Sequence, residues 1–239
     1  DIVCRLGLLF FKYAVSLAAT YRIITRQTIG YFMQGNAQTK EEWSRLESMF
    51  SFARPDAQNL ITCFHKEMKR GLAGQTSSLK MIPCYVSRPT GLEEGSFLAL
   101  DLGGTNLRVL AVELDGRGGA NISAVSRFVI PASVMHGRGE GLFDFLAEGV
   151  TLFLEEHGYN LQQHQDLAFT FSFPVEQSAL NAGILLNWTK GFTASEVEGK
   201  DVVALLAEAL GRRNIKNIWV TAFANYTIGT LMTKSYADA

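Results

Sequence analysis

An apolar run that ends in a carboxylate, two glycines and a hydroxyl constrains this chain more than any other feature: Phe97-Leu-Ala-Leu-Asp101-Leu-Gly103-Gly104-Thr105-Asn106-Leu-Arg108-Val-Leu. The residues before the glycines have the length and composition of a buried strand. A second apolar run, Leu107 to Leu114, returns after them and ends at Asp115-Gly116, so the glycines sit in a hairpin loop. Glycine lacks a Cβ and can take φ > 0, which lets the backbone turn tightly and set its N–H groups against phosphate oxygens. In that reading Asp101 meets a hydrated Mg²⁺, an ion that keeps several waters and is held by one or two carboxylates plus phosphates. Thr105 adds a hydroxyl donor. The motif is neither a Walker A loop nor a dinucleotide fingerprint, because the lysine and the following helix are absent. Taken alone, it also fits a tight β-turn in which Asp and Gly serve geometry only.

At 239 residues and 47% apolar, the chain is long enough for one large or two small domains with their own cores. A net charge of −1, with Lys and Arg spread along the chain, argues against nucleic acid. Cys4, Cys63 and Cys84 lack metal-ligand spacing and read as reduced thiols of a cytoplasmic protein. His65, His136, His157 and His164 form no i,i+4 ligand pair and read as structural or solvent-facing. Residues 2–22 are the most apolar stretch, but Arg5 and Lys12 interrupt it. The uncharged run between Lys12 and Arg22 falls well short of the ~20 residues a spanning helix needs, so an amphipathic or partly buried helix is expected over 1–35.

Further along, Thr39-Lys-Glu-Glu42 reads as a capping box opening a helix with Trp43, Leu46 and Phe50 on one side. A second helix starts at Arg54-Pro55, carries Leu60, Phe64 and Met68 on one stripe, and stops at Gly71. A connector follows to Gly95. Strands are then expected over 97–101, 106–114 and 122–130, a helix over 140–156 ended by Gly158, a strand over 167–173 stopped by Pro174, a helix over 201–210, a strand over 214–220 and a helix from Asn225. Alternation of strands and helices after a β meander gives an α/β sheet with packed helices, and ligands in such sheets sit where loops leave strand ends.

Four segments outside the hairpin carry polar residues at those places: Ser78-Leu-Lys80-Met-Ile-Pro83, Phe171-Ser172-Phe173-Pro174-Val-Glu-Gln177, Leu186-Asn187-Trp188-Thr189-Lys190-Gly191-Phe192, and Asn225-Tyr226-Thr227-Ile-Gly229-Thr230. With the hairpin, and in this order and spacing, they resemble the eukaryotic-type hexokinase and glucokinase family over most of residues 60–236. The resemblance implies the actin-like ATPase (ribonuclease H-like) fold, with mixed sheets and flanking helices. Residues 36–239 are then the family's amino-terminal half, with parts of its large and small lobes. It implies ATP-dependent transfer of a phosphoryl group to the 6-hydroxyl of a hexose, glucose foremost, with ATP and Mg²⁺ as cofactors. Asp101, Gly103, Gly104, Thr105, Asn106 and Arg108 match the nucleotide-phosphate segment, Asp101 meeting Mg²⁺ through water. Ser172, Pro174, Thr189, Lys190 and Asn225 match the sugar-binding positions, Lys190 also standing in the catalytic group. Such side chains suit a sugar whose hydroxyls both donate and accept, and Lys190 offers charge near a transferring phosphoryl. Each also has a plainer reading, Ser172 as a strand-end hydroxyl, Thr189-Lys190-Gly191 as an exposed turn and Trp188 as core.

Two departures stand out. The family places an aspartate, its general base, after the asparagine matched by Asn225, and this chain has Tyr226. A phenol is a poor base at neutral pH and bulkier than a carboxylate. Only 14 residues follow Asn225, whereas the family continues for roughly as long again with a second phosphate segment, an adenosine pocket and two sugar-binding glutamates. Leu107, where the family has phenylalanine, exchanges one apolar side chain for another. Three readings follow: the amino-terminal part of a hexose kinase, a non-catalytic sugar sensor or regulator of that type, or a fragment of an incomplete gene.

Overall fold

The structure is a computed structural model that describes residues 37–50, 53–79, 81–160 and 163–237. The expected helix over 1–35 and Lys80 lie outside the described residues. The chain divides into two compact units at Ile82/Pro83.

The first unit holds helices α1 (Ala37–Phe50) and α2 (Arg54–Leu72). The expected capping box is not one: α1 already runs from Ala37, so Thr39 lies inside its first turn. Pro55 and Asp56 open α2 and Lys69 and Arg70 close it, an order that suits the backbone dipole. Its stop is Gly74 rather than Gly71. Gly74 (φ 69°) donates to the Gly71 carbonyl while Gln75 donates to Arg70, the paired bonds of a Schellman cap. No described residue of α2 is buried.

The second unit is built on a five-stranded sheet in the order β3-β2-β1-β4-β7. Strands β1 (Glu94–Leu102), β2 (Asn106–Asp115) and β3 (Ala120–Val129) form an antiparallel meander. β4 (Gln165–Phe171) lies parallel to β1, and β7 (Ile218–Ala224) parallel to β4. Between them come α3 (Ala132–Met135), α4 (Gly139–Glu156), the hairpin of β5 (Val175–Ala179) and β6 (Ala182–Leu185), and α5 (Val202–Arg212). The chain then enters α6 (Tyr226–Ala237). This mixed sheet with flanking helices is the architecture the resemblance implies.

β1 reads as a continuous apolar run because both of its faces are covered. Leu98, Leu100 and Leu102 join Leu107, Val109, Phe169 and Phe171 against Phe143, Leu146, Val150 and Phe153 of α4 and Leu206 and Leu210 of α5. Phe97 and Ala99 face the other way with Leu110, Val112, Ala168 and Tyr236 of α6. β3, at the edge, alternates between half-buried and exposed positions.

Two helix ends repeat the α2 stop. Gly158 (φ 70°) and Tyr159 donate to Glu155 and Leu154 after α4, and Asn214 (φ 60°) and Ile215 donate to Gly211 and Leu210 after α5. Asn214 and Ile215 therefore close a helix, and the strand expected over 214–220 is displaced to Ile218–Ala224. α5 opens on Asp201, whose carboxylate accepts from the Val203 and Ala204 amides.

The β5–β6 hairpin is fastened to β7 by Gln177, whose Nε2 donates to the Phe223 carbonyl at 2.8 Å, and by the Phe223 amide, which donates to Leu180 at 2.8 Å. Gly183 makes that packing possible, since a Cβ there would lie 2.5 Å from the Phe223 ring and 2.6 Å from Val175 Cγ1. Gly183→Ala is accordingly expected to destabilise by about 1–3 kcal/mol, the usual cost of overpacking. Gly211→Ala, with open space at its Cβ position, is expected to gain up to ~1 kcal/mol from helix propensity. Denaturant midpoints of the two variants check the pair, and equal shifts would contradict the packing described.

Candidate functional site

The carboxyl ends of β1 and β4 leave the sheet side by side, and the candidate residues gather there. The hairpin closes by the Leu102–Leu107 pair and by the Gly103 amide, which donates to the Asn106 carbonyl at 3.0 Å, leaving Gly104 and Thr105 at the tip. Neither Gly103 nor Gly104 takes positive φ, contrary to the expectation for this loop. Close approach accounts for Gly103 alone: a Cβ there would stand 3.2 Å from the Asn106 carbonyl, whereas one on Gly104 would make an ordinary 3.5 Å contact with Lys190 Cδ. Asn106 spends its amide on the Thr105 hydroxyl at 2.8 Å, and the Thr105 carbonyl accepts from Ile130. The Gly104 and Thr105 amides donate to no acceptor among the described residues.

Asp101 is 4% exposed on the α6 face of the sheet, between partners supplied by both neighbouring strands. Thr170, its register partner on β4, donates Oγ1–H to Asp101 Oδ1 at 2.9 Å, and Arg108, its partner on β2, reaches Oδ2 at 3.5 Å. Burial pushes the Asp101 carboxyl above the ordinary carboxylate range, against the pull of the Thr170 hydroxyl and the charges of Arg108 and Lys190. Sequence reasoning missed Thr170. The available signal was a hydroxyl in the apolar strand Phe169-Thr170-Phe171, two residues before Ser172, where a buried polar side chain needs a partner.

Ser172 extends the same pairing, its amide donating to the Leu102 carbonyl at 3.4 Å. The residue is 8% exposed, yet its hydroxyl has no partner among the described residues. β4 ends at Phe171 rather than at Pro174, which directly precedes β5; the Pro174 carbonyl accepts from Leu186, which carries the chain into the Trp188–Phe192 turn. Thr189 O accepts from the Phe192 amide at 3.1 Å, with Lys190 (φ 53°) and Gly191 (φ 80°) both left-handed between them. Left-handed backbone is uncommon outside glycine and marks Lys190 as a constrained position. Trp188 is core-like as expected, edge-on to Phe173, stacked on Phe192, and donating Nε1–H to Ala194 at 2.7 Å.

Asn225 is the N-cap of α6. Its Oδ1 accepts from the Thr227 amide at 3.1 Å and hydroxyl at 2.8 Å, while its Nδ2 donates to the Phe173 carbonyl at 3.3 Å. The residue after it, Tyr226, turns its ring to Lys190, whose Nζ lies 4.9 Å from the ring centroid and 5.8 Å from that of Phe173. The structure thus sets Gly104 beside Lys190, whose charge acts on Asp101, and links Ser172, Phe173 and Asn225 to them through Leu102 and Phe173. No group of three or more His, Cys, Asp or Glu suited to a metal occurs among the described residues.

The family described as hexokinase matches residues 42–236, and the chain belongs to the hexokinase family. It is 48% identical over 174 residues to hexokinase-3 of Homo sapiens, covering 72% of this chain and 18% of that protein. It is likewise 48% identical over 177 residues to hexokinase-2 of Homo sapiens, covering 72% and 19%. Among solved structures, the Schistosoma mansoni hexokinase complexed with glucose superposes with a TM-score of 0.66 at 40% identity, covering 77% of this chain and 41% of that one. A second hexokinase crystal structure gives 0.64 at 32%, covering 79% and 46%. The chain therefore spans under a fifth of the length of these curated relatives and under half of the solved chains.

The raised Asp101 titration has a definite sign. A carboxyl whose folded value lies above its ordinary 3.8 lends stability at low pH that is lost as pH rises through the folded value. Asp101→Asn removes that dependence while keeping an acceptor for Thr170. The variant should melt above the wild type at pH 7, and the gap should close as pH falls toward 3.8. Thermal scans across that range test it, and a gap independent of pH would contradict the assignment.

Proposed function

We propose that this chain is the amino-terminal, ligand-binding part of a hexokinase whose complete form transfers the terminal phosphoryl of ATP to the 6-hydroxyl of a hexose, with glucose the first candidate. The observation that supports it best is the junction of a phosphate-type hairpin with the unclaimed hydroxyl of the largely buried Ser172 at one sheet end. Ser172, Thr189, Lys190 and Asn225 supply small polar groups for a sugar, with Pro174 fixing the turn between them. Gly103, Gly104, Thr105, Asn106 and Arg108 frame the place for nucleotide phosphates, where the Gly104 and Thr105 amides are free to donate.

The donor set fits Mg²⁺, since one carboxylate approached through water is a common way to hold it beside phosphates. Asp101 would hold that ion, which supplies charge neutralisation for the phosphoryl group when bound. Lys190 brings a cation to the same side, as its stem against Gly104 indicates. None of these groups accepts the proton of the 6-hydroxyl. Tyr226 stands where the family's base is expected, and that single substitution favours a second reading, a sugar sensor or regulator that binds without transfer. The cytoplasm is the proposed compartment, supported by the free thiols Cys63 and Cys84. No helix among the described residues is long and apolar enough to cross a membrane.

Calorimetric titration with glucose, with and without MgATP, tests the proposal. Binding of both without glucose-dependent ATP consumption is the expected result, because a positioned base contributes ~10²–10⁴-fold in rate. Ser172→Ala should weaken glucose about three- to tenfold, the worth of one hydrogen bond, and Asp101→Asn should remove the Mg²⁺-dependent part of nucleotide binding. Sustained turnover that vanishes in Asp101→Ala would refute the inactive reading, and glucose heats unaffected by Ser172→Ala would refute the sugar site.

A further inference from the structure

Lys190 is built into this site with unusual care for an exposed lysine. Its backbone is left-handed at φ 53°, followed by Gly191 at φ 80°, and the turn is closed by the Phe192 amide on the Thr189 carbonyl. Its stem lies along the hairpin tip, 3.5 Å and 3.7 Å (Cδ and Cβ) from where a Cβ on Gly104 would stand. Its ammonium lies 4.9 Å from the Tyr226 ring centroid and 5.8 Å from that of Phe173, both inside the ~6 Å reach of a cation–π contact. Among the described residues it forms no ion pair. The nearby carboxylate, Asp101, is committed to Thr170 and Arg108.

The geometry points to Tyr226 as a positioning residue for Lys190: the ring face holds the ammonium beside the Asp101–Asn106 hairpin without neutralising it, which leaves its charge for a phosphate group at the hairpin tip. This deepens the nucleotide-phosphate reading of the site and rests on it. A carboxylate at the first position of α6 would also attract the lysine, but as an ion pair that cancels the charge a phosphate would meet. A ring attracts through its quadrupole and cancels nothing. An aliphatic side chain there would do neither. The three cases therefore differ in both where the ammonium sits and what charge it presents.

Two readouts separate them in the full chain. The first needs no ligand: NMR shifts of the Lys190 side-chain methylenes, which an aromatic face moves upfield. Wild type and Tyr226→Phe should share the upfield shift and Tyr226→Leu should lose most of it. The second is MgATP affinity by calorimetry. Tyr226→Leu should bind about two- to fivefold more weakly than Tyr226→Phe, the range of a cation–π contact at an exposed site. Tyr226→Asp should also bind more weakly than Tyr226→Phe, with the deficit shrinking as salt rises. Since Tyr226 is 41% exposed, these variants should fold, and thermal melts verify that. Lys190 shifts that do not change in Tyr226→Leu, or a Tyr226→Asp variant that binds MgATP as tightly as Tyr226→Phe, would overturn the proposal. Failure of every variant to bind MgATP would instead overturn the nucleotide site, and the Lys190 shifts would still decide where the ammonium is held.

Discussion

The pairing of Asp101 with Thr170 across the parallel β1–β4 junction is the contact on which the rest of the site depends. A carboxylate in an otherwise apolar sheet needs partners, and here each adjoining strand supplies one at the directly opposite position, Thr170 from β4 and Arg108 from β2. The register that satisfies Asp101 also puts the Ser172 amide on the Leu102 carbonyl. A slip of one residue in β1 would turn Asp101 toward α4 and α5 and carry Leu100 and Leu102 to the opposite face, so the apolar packing and the polar site enforce the same alignment.

Much of the fold was legible because its signals are local. The β1–β2 hairpin, α4 with its Gly158 stop, and the start of α6 after Asn225 follow from periodicity and caps, and the structure moves them by a few residues at most. The misreadings come from residues with two uses. Asn214 can precede a strand or close a helix, and only the bonds of Asn214 and Ile215 back into α5 decide for the second. Gly71 looks like a stop, yet its lack of a Cβ serves a close approach of the Leu79 carbonyl, and Gly74 ends the helix. The β5–β6 hairpin carried no strong turn signal. It exists because Gln177, Leu180 and Gly183 fit against Phe223, a residue some forty positions away.

The site was legible in its residue types and not in its mechanics. Asp101, Ser172, Lys190 and Asn225 were picked out by the ordered motifs, but what holds each of them could not be read from spacing. Asn225 shows why: its carbonyl oxygen is spent on the first turn of α6 and its amide on the Phe173 backbone, so its place near any sugar is fixed by a structural duty. Positive φ was expected of the hairpin glycines and appears at Lys190 and Gly191 instead. The left-handed backbone belongs to the turn that presents the lysine, while in the hairpin only Gly103 sits where a Cβ would crowd the backbone.

That division bears on what the site can do. Transfer of a phosphoryl group asks for charge stabilisation at the phosphate and a base at the attacking hydroxyl, and a group that binds ground and transition states equally does not raise kcat. In the function proposed above, Arg108 and Lys190 would supply positive charge and Asp101 would hold Mg²⁺, with Asp101 paired across the sheet and Lys190 set on aromatic faces. At the position where the resemblance expects a proton acceptor, this chain carries the ring of Tyr226. On the proposal that this ring positions Lys190, it keeps the ammonium beside the hairpin without an ion pair, so the groups proposed for a phosphate do not depend on one that would activate a sugar hydroxyl. On that proposal, Tyr226 is the single position at which phosphate binding and activation of a sugar hydroxyl come apart.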